Sequence, residues 1–226
     1  MCGRFSQFSD IETLAGRFHA VAEILARPPV YNLAPGMNAG VVVESGGKRR
    51  IAEMRWGLVP SWATDPRIGA RMINARIETV AEKTSFRRAL QQRRCLIPAD
   101  GFFEWSGEKG HRQPWFVHGR SWQLLSFAGL WERWQPADGG PEWRTFTILT
   151  TAATGCIAEI HDRMPIILGQ GGHDQWLGDV AMSPHLLADL ISHHAEAALT
   201  RYRVSTVINT VRNNTIACIA PQSDTI

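Results

Sequence analysis

Apolar positions recur at two spacings along the chain, and the changes from one to the other mark the elements. Ser9-Asp10-Ile11-Glu12 has the form of a capping box. Ile11, Leu14, Ala15, Phe18, Ala22 and Leu25 then follow at helical spacing and predict a helix to about Ala26, stopped by Arg27-Pro28-Pro29. Residues 40–44 and 50–56 read as a hairpin around Ser45-Gly46-Gly47. Residues 57–75 read mostly as loop, with Trp62 in the middle. A short helix over 85–91 turns Phe86, Ala89 and Leu90 inward. Strands are predicted at 95–98, 101–105, 115–118, 124–131, 143–150, 165–168 and 203–207. Ser183-Pro184 starts a last helix that runs to about Ala195. Many strands on short turns, with irregularly placed helices, predict an α+β fold. The expectation is a single domain over 1–226, with a curved, largely antiparallel, barrel-like sheet and flanking helices.

Composition narrows this picture little. The chain has 226 residues, 44% of them hydrophobic, enough to bury a core. A net charge of +3 permits nucleic acid without demanding it. The basic clusters Lys48-Arg49-Arg50, Arg87-Arg88 and Arg93-Arg94 each read as solvated surface when taken alone. Nine Trp is a high count; core packing accounts for most, and aromatics also stack on unpaired bases. Cys95, Cys156 and Cys218 sit in apolar runs and read as reduced core thiols. No zinc spacing is present, no signal segment opens the chain, and no apolar run reaches membrane length. No metal or cofactor is expected, and the expected location is a reducing compartment, the cytoplasm.

Candidate chemistry begins at Met1-Cys2-Gly3-Arg4-Phe5. Removal of Met1 would leave an α-amine and a thiol on one residue. Such a 1,2-aminothiol condenses with an aldehyde through nitrogen and closes a thiazolidine through sulfur. Arg4 is expected to help lower the thiol pKa. The alternative is an incidental cysteine on a frayed terminus. Three further residues have paired readings. Alternation puts Glu104 and Phe102 on one strand face, Phe103 and Trp105 on the other. Glu104 is then either solvated or a half-buried acid/base. His161 is either an idle loop residue or a proton-transfer group. Asn74 is either a turn residue or part of a site.

Taken together, these segments resemble the SOS response-associated peptidase family of abasic-site processing proteins. The resemblance rests on Met1-Cys2-Gly3-Arg4-Phe5, Tyr31-Asn32-Leu33-Ala34-Pro35-Gly36, Trp56-Gly57-Leu58-Val59-Pro60-Ser61-Trp62 and Ile73-Asn74-Ala75-Arg76-Ile77-Glu78-Thr79. It continues through Gly101-Phe102-Phe103-Glu104-Trp105, Ile160-His161-Asp162-Arg163-Met164-Pro165 and the stretch 204–214. The resemblance implies capture of abasic sites in single-stranded DNA, including single-strand/duplex junctions, by a monomer. It implies Cys2, Asn74, Glu104 and His161 as the catalytic set, and Arg4, Arg76, Arg163 and Trp62 as DNA contacts. It also implies a self-processing cysteine peptidase and lyase-type activity. Some relatives carry a second aromatic after the loop Trp, where this chain has Ala63. Two rivals stay open on the residues alone: an N-terminal-nucleophile amidohydrolase using Cys2, and a single-stranded DNA-binding module without covalent chemistry.

Overall fold

The computed structural model describes residues 2–108, 110–194 and 199–222. In chain order the first elements are β1 (Phe5–Gln7), α1 (Ile11–Phe18), β2 (Ala20–Ala22), β3 (Val30–Leu33), β4 (Asn38–Ser45) and β5 (Lys48–Trp56). Next come β6 (Asn74–Arg76), α2 (Arg87–Gln92), β7 (Arg94–Ala99), β8 (Gly101–Ser106), β9 (Gln113–Gly119), β10 (Leu125–Trp134) and β11 (Trp143–Ala152). The last are α3 (Gly155–Ala158), β12 (Arg163–Pro165), α4 (His173–Leu177), α5 (Pro184–His194) and β13 (Leu199–Arg203).

The strands form two curled, mostly antiparallel sheets, in an α+β arrangement. One runs β13-β9-β8-β1-β3, the other β12-β11-β10-β7-β4-β5-β2. An added parallel pairing of β5 with β11 closes β11, β10, β7, β4 and β5 into a ring. Strand alternation gives the ring two apolar faces. Val41, Val43, Cys95, Ile97 and Ile148 point inward with Phe5, Trp56, Phe127 and Phe146. Val42, Leu96 and Leu149 point outward, under α1, α2, α4 and α5. Phe5 meets Trp56 edge-on, with ring centroids 5.1 Å apart. Deleting such a buried ring costs about 3–5 kcal/mol, so the N-terminal strand is part of the core.

The hairpin of β4 and β5 forms as expected, with both Gly46 and Gly47 at positive φ, as a tight hairpin turn requires. The first helix is shorter than its apolar spacing predicts. It stops at His19, which adopts a left-handed conformation (φ 50°) and caps Ala15 and Gly16. Beyond it, residues 20–22 pair with β5 as a parallel edge strand and Leu25 lies in solvent. The cap residue is Asp10, accepting from Thr13 N–H at 2.8 Å. Ser9 bonds instead to Asp100. The last strand lies four residues earlier than expected, at β13, and 206–209 form a 3-10 turn. The end of the last helix, placed near Ala195, lies outside the described residues.

The basic clusters are largely absorbed by structure. Buried Arg94 donates to the carbonyls of Trp176, Leu90, Gln91, Gly178 and Val180, filling loose helix-end acceptors. Arg93 pairs with Glu132, Arg49 with Glu44 and Asp174, and Arg50 with Glu23. Arg87 and Arg88 stay exposed.

Candidate active site

The N-terminal strand brings Cys2 to the site. β1 lies between β3 and β8, with Phe5 opposite both Leu33 and Phe102. Phe103 N–H donates to the Arg4 carbonyl at 2.9 Å. Continuing that register sets Gly3 opposite Glu104. Asp100 fixes the far end of the strand, accepting from the backbone N–H of Phe8 (2.6 Å) and Ser9 (3.0 Å). Gly101 opens β8 because a side chain there would lie 2.3 Å from the Phe116 ring. Cys2 is therefore fully buried and the frayed-terminus reading is excluded.

Burial also reverses the expectation for its thiol. Desolvation, then the nearby Glu104 carboxylate, push the Cys2 thiol far above its ordinary value. Arg4 does not offset this, because its own partners lie elsewhere. Its Nη1 donates to Asn32 Oδ1 and to the Ile208 carbonyl (3.0 Å). Buried Asn32 ties down the same C-terminal segment through the carbonyls of Ile208, Thr210 and Asn213. The polar side chains of this segment bond elsewhere: Asn213 Nδ2 donates to the Val207 carbonyl at 2.8 Å, and Asn214 Oδ1 accepts from Tyr31 N–H at 2.7 Å.

Asn74 lies on β6, not in a turn. Parallel pairing sets it beside Ile148 of β11. Its Nδ2 donates to the Cys2 carbonyl at 2.8 Å, and its buried Oδ1 has no hydrogen-bond partner among the described residues. Glu104 stands on β8, 2% exposed, on the face shared with Phe102. Burial raises its pKa to about 7. His161 lies beyond α3, its side chain 26% exposed, with Nε2 3.9 Å from Glu104 Oε2. Arg163 N–H donates to His161 Nδ1 at 2.9 Å. That bond leaves the imidazole proton on Nε2, facing Glu104. Burial lowers the His161 pKa and favours this neutral form. Asp162 Oδ1 also lies 2.9 Å from Nδ1 but is itself largely in solvent.

The expected DNA contacts differ in how free they are. Arg76 is exposed. Arg163 is not: it grips Glu78 through two bonds, 2.6 and 3.0 Å, and the Thr150 carbonyl at 2.7 Å. Glu78 sits in the same motif as Asn74 and Arg76, yet its pairing across the fold gives no local signal. Trp62 is 58% exposed. Ala63 is buried against Val59 and Trp134, and its carbonyl accepts from Trp134 Nε1 at 2.7 Å. The small residue after Trp62 therefore faces inward. Sequence reasoning also missed Asn209, which holds Trp105 Nε1 at 2.9 Å, and Arg112, whose charge reaches His161.

Cys2, buried and held through its carbonyl by Asn74, thus stands close to a carboxyl raised to about 7 and to a histidine whose pKa is lowered. The family model for SOS response associated peptidase (SRAP) matches residues 1–211, and the chain belongs to that family. It is 38% identical over 218 residues to abasic site processing protein YoqW of Bacillus subtilis, covering 95% of this chain and 96% of that protein. It is 35% identical to abasic site processing protein HMCES of Pongo abelii, covering 85% of this chain and 65% of that protein. A crystal structure of a Bacteroides thetaiotaomicron protein superposes with a TM-score of 0.82 at 25% identity, covering 96% of this chain and 98% of that one.

Proposed function

We propose that this protein processes abasic sites in DNA by bonding covalently to them through Cys2, in single-stranded DNA or at single-strand/duplex junctions. The observation that carries the reading is the placement of Glu104. It is buried beside Cys2 with a pKa of about 7, so it both gives and takes protons at neutral pH.

The chemistry starts once Met1 is gone, by self-processing or by another peptidase. The ring-open sugar presents an aldehyde at C1′. The Cys2 amine attacks C1′ and gives a carbinolamine. Protonated Glu104 donates to the departing hydroxyl, water leaves, and a Schiff base remains. The buried thiol then adds as S–H: sulfur bonds to C1′, and its proton passes by way of Glu104 to the imine nitrogen. The product is a thiazolidine, formed with net loss of one water. The high thiol pKa makes a proton acceptor necessary in that last step, since little thiolate exists at neutral pH. His161, with its proton on Nε2, assists opening of the sugar ring at the ring oxygen. Asn74 orients Cys2 through its carbonyl and keeps an acceptor for the reacting sugar.

Arg76 and Trp62 meet the strand directly, one at phosphate and one by stacking. Arg4 and Arg163 join them from partly engaged positions. The buried Cys2 needs the lesion turned into the site, and a base-paired duplex resists this by a few kcal/mol. Single strands are therefore the preferred substrate. Residues from Cys2 to Arg163 form this site within one chain, so one copy suffices.

Cys2→Ser tests the reading, because it keeps the amine and removes the sulfur. The expected outcome is loss of the heat-stable adduct on a denaturing gel, with a Schiff base still trappable by borohydride. A heat-stable adduct at wild-type yield from Cys2→Ser contradicts it.

A further inference from the structure

The loop between β5 and β6 borders a cavity that the reaction above does not use. The cavity, about 360 Å³, is lined by Pro35, Arg55, Trp56, Val59, Gly69 and Trp143. That volume lies in the range of small-molecule sites, about 300–1,000 Å³. On one side two backbones touch: a Cβ on Gly57 (φ 118°) would lie 2.7 Å from the Gly69 carbonyl oxygen. The cavity adjoins the reaction site through one indole. Trp56 Nε1 donates to the Ile73 carbonyl at 2.9 Å, and the next residue, Asn74, holds the Cys2 carbonyl. Trp143 is set edge-on against Trp134, with ring centroids 5.4 Å apart.

Two cations line the cavity, and they differ in how free they are. Arg67 is held by Asp65 at 2.8 Å. Arg55 is exposed and rests on a ring, its guanidinium carbon 5.3 Å from the Trp143 centroid. The neighbouring carboxylates Glu53 and Glu142 pair instead with Arg27 and Arg144. Among the described residues Arg55 has neither a carboxylate partner nor a side-chain hydrogen bond. A Cβ on Gly36 would lie 3.4 Å from Arg55 Nη2, so the guanidinium lies against the Pro35-Gly36 turn. Its fork of N–H donors is therefore unspent beside apolar walls.

Proline, valine and tryptophan walls do not suit a phosphate. They suit a nucleobase, which has two apolar faces and a polar edge. Guanine alone carries two acceptors, N7 and O6, that a guanidinium meets with two parallel bonds. We propose that this cavity takes one unpaired guanine of the bound strand, close to the lesion, with its acceptor edge on Arg55. This rests on the DNA-processing reading above. Trp143 aims the guanidinium, and the base lies among Pro35, Trp56 and Val59. Capture of abasic sites then acquires a dependence on the neighbouring base.

The test uses thymine strands with one central abasic site and one guanine, placed at each of the two nearest positions on either side. Wild type is expected to cross-link about tenfold faster, at subsaturating DNA, when guanine occupies one of these positions than when adenine or cytosine does. Arg55→Ala should erase that advantage and leave the all-thymine strand within about twofold of wild type. Arg55→Lys should lose the advantage too, because an ammonium cannot make the paired bonds. Arg87→Ala, on the exposed face of α2, should keep it. Anisotropy on undamaged strands reads the cavity without the covalent step: one central guanine should tighten binding by wild type and not by Arg55→Ala. If no adduct forms but this affinity difference is seen, the cavity stands and the covalent reading falls. If guanine changes neither rate nor affinity, or if its advantage survives in Arg55→Ala or Arg55→Lys, the guanine site is overturned.

Discussion

Glu104 bears most of the argument at the scale of single residues, and its burial has two separable consequences. The first is kinetic. Glu104→Gln keeps shape and removes the titrating proton, so adduct formation should slow by roughly a hundredfold or more. Binding to undamaged strand should hold, because the amide leaves the arginines in place. Wild-type single-turnover rates should bend near pH 7, and the variant's should not. The second is thermodynamic. The folded-state pKa lies near 7 against 4.5 for the free side chain, so folding favours the protonated form. The stability this contributes is complete below about pH 4.5 and is lost as pH rises through 7. Glu104→Gln should therefore match wild type in acid and exceed it above pH 7, by up to about 3 kcal/mol. Denaturant melts at pH 4.5 and 8 measure this. A variant equally fast across pH, and no more stable at pH 8, would remove Glu104 from the mechanism.

Between elements, the informative contact joins the turn after β6 to β12. Glu78 holds Arg163 by a bidentate pair, and that pair also draws the Glu78 carboxyl below its usual range. If Arg163 turns to phosphate when DNA binds, Glu78 competes with the strand. Glu78→Gln should then tighten binding to single-stranded DNA several-fold at low salt and steepen the salt dependence by about 0.7. Fluorescence anisotropy titrations from low to moderate salt give both numbers; unchanged affinity and slope would leave Arg163 a structural residue. This scale also shows what the sequence could and could not reveal. The β4–β5 hairpin was legible because alternation and two glycines act locally. Glu104 was legible as half of an alternating strand, but its burial depended on β1, β9 and the loop carrying His161. The first helix was overextended because Ala22 and Leu25 continue its apolar spacing. Pairing of residues 20–22 with β5 decided the matter, and no local rule contains that pairing. Partners such as Asn32 for Arg4 and Glu78 for Arg163 join distant segments and escaped for the same reason. The family motifs supplied the site residues, but not these engagements.

Across the whole molecule, the fold solves one problem: it holds a chain terminus as firmly as a core strand. β1 is paired on both sides, Phe5 packs inside the strand ring, and Asp100 pins the turn that follows. Terminal residues otherwise fray, and a frayed amine would react with aldehydes without regard to DNA. In the proposed chemistry, fixing Cys2 beside Glu104 and Asn74 confines the reaction to a sugar delivered into the site. The direct test is the mass and attachment point of the adduct. Protein verified to begin at Cys2 is incubated with a single strand bearing one abasic site, then analysed intact and after proteolysis. The expected mass is protein plus DNA less one water, with the DNA on the Cys2 peptide and no adduct from protein that retains Met1. An adduct mapped to a lysine, or formed equally by the Met1 form, would contradict the account.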